Sequence, residues 1–75
     1  LLEWVEIDAG SPLAGRTLGD ADLRAETGAS VVAIERGDGV IPTPGGETTV
    51  EPGDTLVVVG SRADCEAFAS RATGE

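Results

Sequence analysis

Polar and apolar positions alternate with a period of two through residues 2–8, LEWVEID, the pattern of a β-strand with two distinct faces. Val5 and Ile7 share one face, Leu2 and Trp4 the other. A strand that is apolar on both faces has two partners to satisfy, its own core and a second surface such as another subunit. The period is lost in AGSPLAGRTL, where Gly10, Pro12 and Gly15 forbid regular structure and Leu13 is left to pin the loop to the core. Helix-start chemistry follows. Thr17 can cap with Asp20 three residues on, and Asp22 offers a second cap. Leu18 and Leu23 are five apart, poor spacing for one helical face. The expectation is a short helix or two single turns, closed by Gly28 in the left-handed conformation.

Residues 29–36, ASVVAIER, are rich in β-branched residues and read as a central strand. GDG at 37–39 signals a tight hairpin. VIPTP continues as a short strand that cannot be central, because proline donates no ladder hydrogen bond. A Gly-Gly bend, an extended piece at Thr48–Val50 and a turn at Pro52-Gly53, suited to type II geometry, come next. TLVVVG at 55–60 is the most apolar run and the candidate for a strand buried on both faces. SRADCEAFASRA is the clearest helix, with Ser61 as N-cap, Asp64 at the third helical position, and Cys65, Phe68, Ala69 and Ala72 on one face. The predicted architecture is α+β: a small, mostly antiparallel sheet of four to five strands with helices packed on one face.

Composition narrows what such a domain can do. Seventy-five residues make one domain, 1–75, and a chain this small buries only about 60% of its unfolded surface. Trp4 and Phe68 are the only aromatics, so Val, Leu, Ile and Ala must build the core, and association with another copy is a common way to bury more. A net charge of −9 with no lysine argues against nucleic-acid binding and against a basic helix on a membrane surface. The single cysteine, Cys65, excludes an internal disulfide and reads as a buried thiol. Without histidine there is no His-based acid–base, triad or metal chemistry, and no nucleotide-binding glycine motif occurs. Glu3, Glu6 and Asp8 look solvated, and the acidic residues at 20, 22 and 26 lack the glycine and terminal glutamate of a calcium loop. An enzyme is not expected, nor a metal site. No run is long enough to span a membrane, no signal peptide is seen, and the start in mid-strand without methionine reads as a piece of a longer protein.

Four short motifs occur in order. They are Ser11-Pro12-Leu13-Ala14-Gly15-x-Thr17-Leu18, Gly28-x-x-Val31-Val32-Ala33-Ile34-x-Arg36, Pro52-Gly53-Asp54-x-Leu56 and Val58-x-Gly60. In that order and spacing, over residues 2–70, the chain resembles the TrkA-C domain, also called the RCK C-terminal domain. These are regulatory modules of bacterial potassium channels, potassium transporters and cation/proton antiporters. The resemblance implies a cytoplasmic domain, peripheral to the inner face of the membrane, that pairs as a two-fold dimer. It also implies a channel, transporter or antiporter subunit as partner and, in several members, cyclic di-AMP in the dimer cleft.

The hairpin at 31–44 is where such a ligand would be met. A two-fold ligand in a two-fold cleft takes the same contacts from each subunit. Val31 or Val32, Val40, Ile41 and Pro42 are candidates for an apolar wall against adenine. Arg36 is the candidate for the phosphate, since a guanidinium binds bidentately. Gly37 and Gly39 leave backbone N–H groups approachable, while Asp38 would repel a phosphate; ligand-binding members tend to carry Asn or His in this turn. On the competing reading Arg36 only pairs with Glu35 or Asp38, Val40 and Ile41 fill a dimer interface, and the domain is a structural dimerisation module with no ligand of its own. A third reading, suggested by EPGDTLVVVG, is a small β-roll domain of an enzyme.

Overall fold

In a computed structural model, which describes residues 1–74, the elements run β1 (Leu2–Glu6), α1 (Leu18–Ala21), α2 (Leu23–Thr27), β2 (Ser30–Arg36), β3 (Gly39–Pro42), β4 (Thr55–Val59) and α3 (Arg62–Thr73). Glu75, the last residue of the expected domain, lies outside the described residues. The four strands form one antiparallel sheet in the order β1-β4-β2-β3. β4 and β2 are central, as their apolar character requires, and the proline-terminated β3 is an edge. Gly37 takes φ 58 in the turn between β2 and β3, a conformation that favours glycine. The extended piece at Thr48–Val50 does not become a fifth strand. It pairs with the loop before α1, with Gly15 N–H donating to Val50 O at 2.7 Å and Leu18 N–H to Thr48 O at 3.0 Å.

One face of the sheet carries the core. Val5, Leu56, Val58, Ile34, Val31 and Ile41 meet Phe68, Cys65 and Ala72 of α3 and Ala21 and Leu23 of the short helices. Leu13 is buried in the loop that it was expected to pin. Strict alternation would place Val31 and Ile34 on opposite faces. A β-bulge prevents this: Val31 faces Val58 and Ala33 faces Val57, so Val32 is the extra residue and Val31 joins Ile34 on the core side. Thr43 N–H secures the bulge by donating to Val32 O at 3.0 Å.

Local chemistry fixes the helices. Thr17 Oγ1 accepts from Asp20 N–H at 3.1 Å and caps α1. Asp22, expected to cap α2 with its side chain, makes no such bond; it sits at φ 50 and ends α1 through its backbone N–H. Gly28 closes α2 at φ 85 and is needed twice over, because a Cβ there would stand 2.6 Å from Asp64 Oδ1. That carboxylate belongs to the capping box of α3. Ser61 Oγ accepts from Asp64 N–H and Asp64 Oδ2 accepts from Ser61 N–H, both at 3.1 Å. Arg71, in the last turn of α3, pairs with Glu26 of α2 and ties the two helices together.

Candidate functional site

Register divides the hairpin residues singled out by the sequence between two faces. Val31, opposite Val58, and Ile41, opposite Ile34, are half-buried against the core. Val40, opposite Glu35, and Pro42, opposite Ala33, point to the other side and are exposed, as is Val32 at the bulge. Asp38 is exposed at the tip of the hairpin. The expected apolar wall is therefore not one surface in a single subunit.

Arg36 lies on the core side at the end of β2, and its partner is neither Glu35 nor Asp38. Its Nε donates to Asp54 Oδ1 at 2.9 Å and its Nη2 to Asp54 Oδ2 at 2.8 Å, a bidentate pair. Nη2 also donates to Thr49 O at 2.9 Å, and Nη1 lies 3.3 Å from Glu51 Oε2. Asp54, 1% exposed, accepts a further bond from Glu51 N–H at 2.9 Å. The hydrogen bonds from Arg36 hold the Asp54 carboxyl below the usual carboxylate range, helped by the Glu51 N–H and opposed by burial. The same pairing pushes Arg36 above its ordinary value. The remaining outward N–H groups of Arg36, on Nη1, face a carboxylate. The sequence held a signal for this pair. The Pro52-Gly53 turn sets Asp54 at the start of β4, and antiparallel pairing of Glu35 with Thr55 brings it beside Arg36.

Among the described residues no helix covers the other face of the sheet, although Val57 at its centre is only 7% exposed. Trp4, Val57, Ala33 and Pro42 stand side by side across all four strands and form one apolar row. Leu2, Val59, Val32 and Val40 are exposed large aliphatics beside this row, and Trp4 itself is 55% exposed. The Trp4 indole is oriented by its Nε1–H, which donates to Glu35 Oε2 at 3.3 Å.

Two clefts flank the core. One, of about 340 Å3, opens between α1, α2, the start of β2 and the loop at 44–46, and is lined by Arg24 and by no acidic residue. The other, of about 210 Å3, lies between β1 and α3 and contains Arg62 together with Glu3 and Glu66. Sequence reasoning passed over Arg24, because a cation on a short helix carries no motif. Among the described residues no cluster of metal-ligating side chains occurs, and no helix is long and apolar enough to cross a membrane.

Known proteins share both sequence and shape with this chain. The Ktr system potassium uptake protein C of Bacillus subtilis is 46% identical over 67 residues, which are 89% of this chain but 30% of that protein, so the chain spans under a third of its length. The RCK C domain of the potassium transport protein KtrA, solved in complex with cyclic diadenosine monophosphate, superposes with a TM-score of 0.78 at 33% identity, covering 92% of this chain and 81% of that one. The RCK_C domain dimer of Streptococcus agalactiae BusR, also solved with c-di-AMP, superposes with a TM-score of 0.90, covering 99% of this chain and 97% of that one. At 24% identity that likeness carries the fold alone. BusR has also been solved with promoter DNA, in a chain of which this one covers 35%. The TrkA-C domain model matches residues 2–73, and the chain belongs to the TrkA-C domain family.

Proposed function

We propose that this domain is a regulatory, non-catalytic module of a potassium or cation/proton transport system, which pairs with a second copy and binds cyclic di-AMP. It would act at the inner face of the membrane through a channel, transporter or antiporter subunit, or through the rest of its own chain. The observation that carries the reading is the row Trp4–Val57–Ala33–Pro42, which no helix covers and whose two ends are exposed. An apolar surface of this kind, with exposed aliphatics around it, marks an interaction site on a small acidic domain. A second copy is the simplest cover, since a two-fold interface asks the same patch to complement itself. Support for the ligand comes from the KtrA domain, which matches nearly the whole chain at 33% identity.

The second reading, a dimerisation module with no ligand, is favoured by one observation: Arg36 is already held by Asp54 and Thr49. Calorimetric titration with cyclic di-AMP, alongside sedimentation, separates the two. Saturable binding with one ligand per dimer supports the first. A stable dimer that gives no heat supports the second, and a monomer at high concentration removes both.

A further inference from the structure

We infer that the outer edge of β1 is a docking strand, on which an extended, basic segment of a partner protein adds as a fifth strand of the sheet. This is independent of the ligand reading above, and a second copy laid on the open face of the sheet would leave the edge free.

The sheet has two edges, β1 and β3, and they are not alike. β3 carries Pro42 and runs beside the bulge at Val32, both of which discourage further pairing. β1 has neither proline nor bulge, and its register with β4 is unbroken from Leu2 to Glu6. Just beyond its two ends, Gly60 N–H donates to Leu1 O at 3.1 Å and Ile7 N–H to Asp54 O at 2.8 Å. Antiparallel pairs exchange hydrogen bonds at every second residue, so Glu3 and Val5 turn their backbone groups to β4. The N–H and C=O groups of Leu2, Trp4 and Glu6 therefore face outward, and among the described residues they meet no partner. The Trp4 side chain does not screen them, because its Nε1–H reaches inward to Glu35 on β2 at 3.3 Å.

Beneath this edge lies the cleft of about 210 Å3 between β1 and α3. It is smaller than the ~300 Å3 at which small-molecule sites begin, and it suits a side chain instead. Val5, Cys65 and Ala69 give it an apolar lining. An added strand would send alternate side chains to this side of the sheet, one of them into the cleft.

Charge selects the occupant. Glu3 and Glu66 line the cleft, and Glu6 stands on the opposite face of the same strand. β1 has two carboxylates and no cation, and an inward-facing charge such as Glu3 hinders pairing of an edge strand with a copy of itself. Lys or Arg in an incoming segment would meet these carboxylates favourably. Arg62 is the one basic side chain lining the cleft among the described residues, and it opposes such a segment. Alternating basic and aliphatic residues are thus the pattern that β1 fits.

The test is amide hydrogen exchange, chemical-shift mapping and calorimetry on the domain, with capped hexapeptides as probes. One is Lys-Val-Lys-Val-Lys-Val, another is the same peptide methylated at every backbone nitrogen, and another has Glu in place of Lys. The expected result is that only the first binds, and that it slows exchange at Leu2, Trp4 and Glu6 and shifts Cys65 and Ala69. Glu3→Gln combined with Glu66→Gln should weaken binding about threefold or more, and Arg62→Gln should strengthen it. Glu3, Arg62 and Glu66 are exposed, so thermal melts should show the variants folded. Equal binding of the methylated peptide would reduce the contact to charge and overturn strand addition. Equal binding of the Glu peptide would overturn the choice of a basic partner. Shifts centred on Val40 and Ile41 would move docking to the other edge and overturn the placement. No binding of the first peptide up to millimolar concentration would overturn the inference.

Discussion

Arg36 grips both carboxylate oxygens of Asp54, eighteen residues further along the chain, at 2.9 and 2.8 Å. The pair locks the end of β2 to the turn before β4. Asp54 is fully buried while Arg36 keeps about a third of its side chain in solvent, so the carboxylate depends on the arginine more than the reverse. Arg36→Ala should therefore lower stability by about 2–4 kcal/mol, and Arg36→Lys should recover only part of this, because an ammonium cannot bind bidentately. Urea unfolding measures both, and a loss for Arg36→Ala below about 1 kcal/mol would reduce the pair to a surface contact.

The same pair sets an acid limit. The folded Asp54 carboxyl is held below its unfolded value of about 3.9, so its contribution is fully present above that pH. It is lost as pH falls through the lower, folded value. Urea midpoints measured from pH 7 down to pH 2 should fall below about pH 4, and Asp54→Asn should flatten the part of that fall due to this group. Equal slopes in the two proteins would place the acid sensitivity elsewhere.

Phe68 has no solvent exposure and sits where α3 meets the sheet. Phe68→Ala should cost about 3–5 kcal/mol, with the chemical-denaturation midpoint as readout. A mild effect would mean that α3 is peripheral to the core.

Ser61→Ala removes an acceptor used by Asp64 N–H and breaks the reciprocal cap of α3. A loss of about 1 kcal/mol is expected, with helix content by circular dichroism little changed at room temperature. A neutral effect would show that the Asp64 carboxylate alone satisfies the end of the helix.

Trp4 stands at the edge of the row that no helix covers, with more than half of its surface free. Trp4→Glu should leave the fold intact and weaken self-association by about tenfold or more, seen in sedimentation. In the wild type, dilution to monomer should shift indole fluorescence to the red. Unchanged emission and an unchanged dimer would place the contact on another surface.

The sequence by itself determined the elements and their ends. Pro42 and Pro44 made β3 an edge, Gly28 ended α2, Ser61 and Asp64 opened α3, and TLVVV became a central strand. Each of these follows from forces that act within a few residues: a missing N–H, a permitted positive φ, a cap, an alternation. Its four short motifs were also enough for the family resemblance. What Arg36 binds was decided by tertiary structure, because Asp54 reaches it only through the pairing of β2 with β4. The bulge at Val32 likewise moved Val31 to the core side and split the hairpin's aliphatics between two faces. Neither the apolar row from Trp4 to Pro42 nor the cleft around Arg24 exists in any one segment. The row arises from register, which one inserted residue resets, and the cleft from the packing of short helices against a distant loop; local preference along the chain specifies neither.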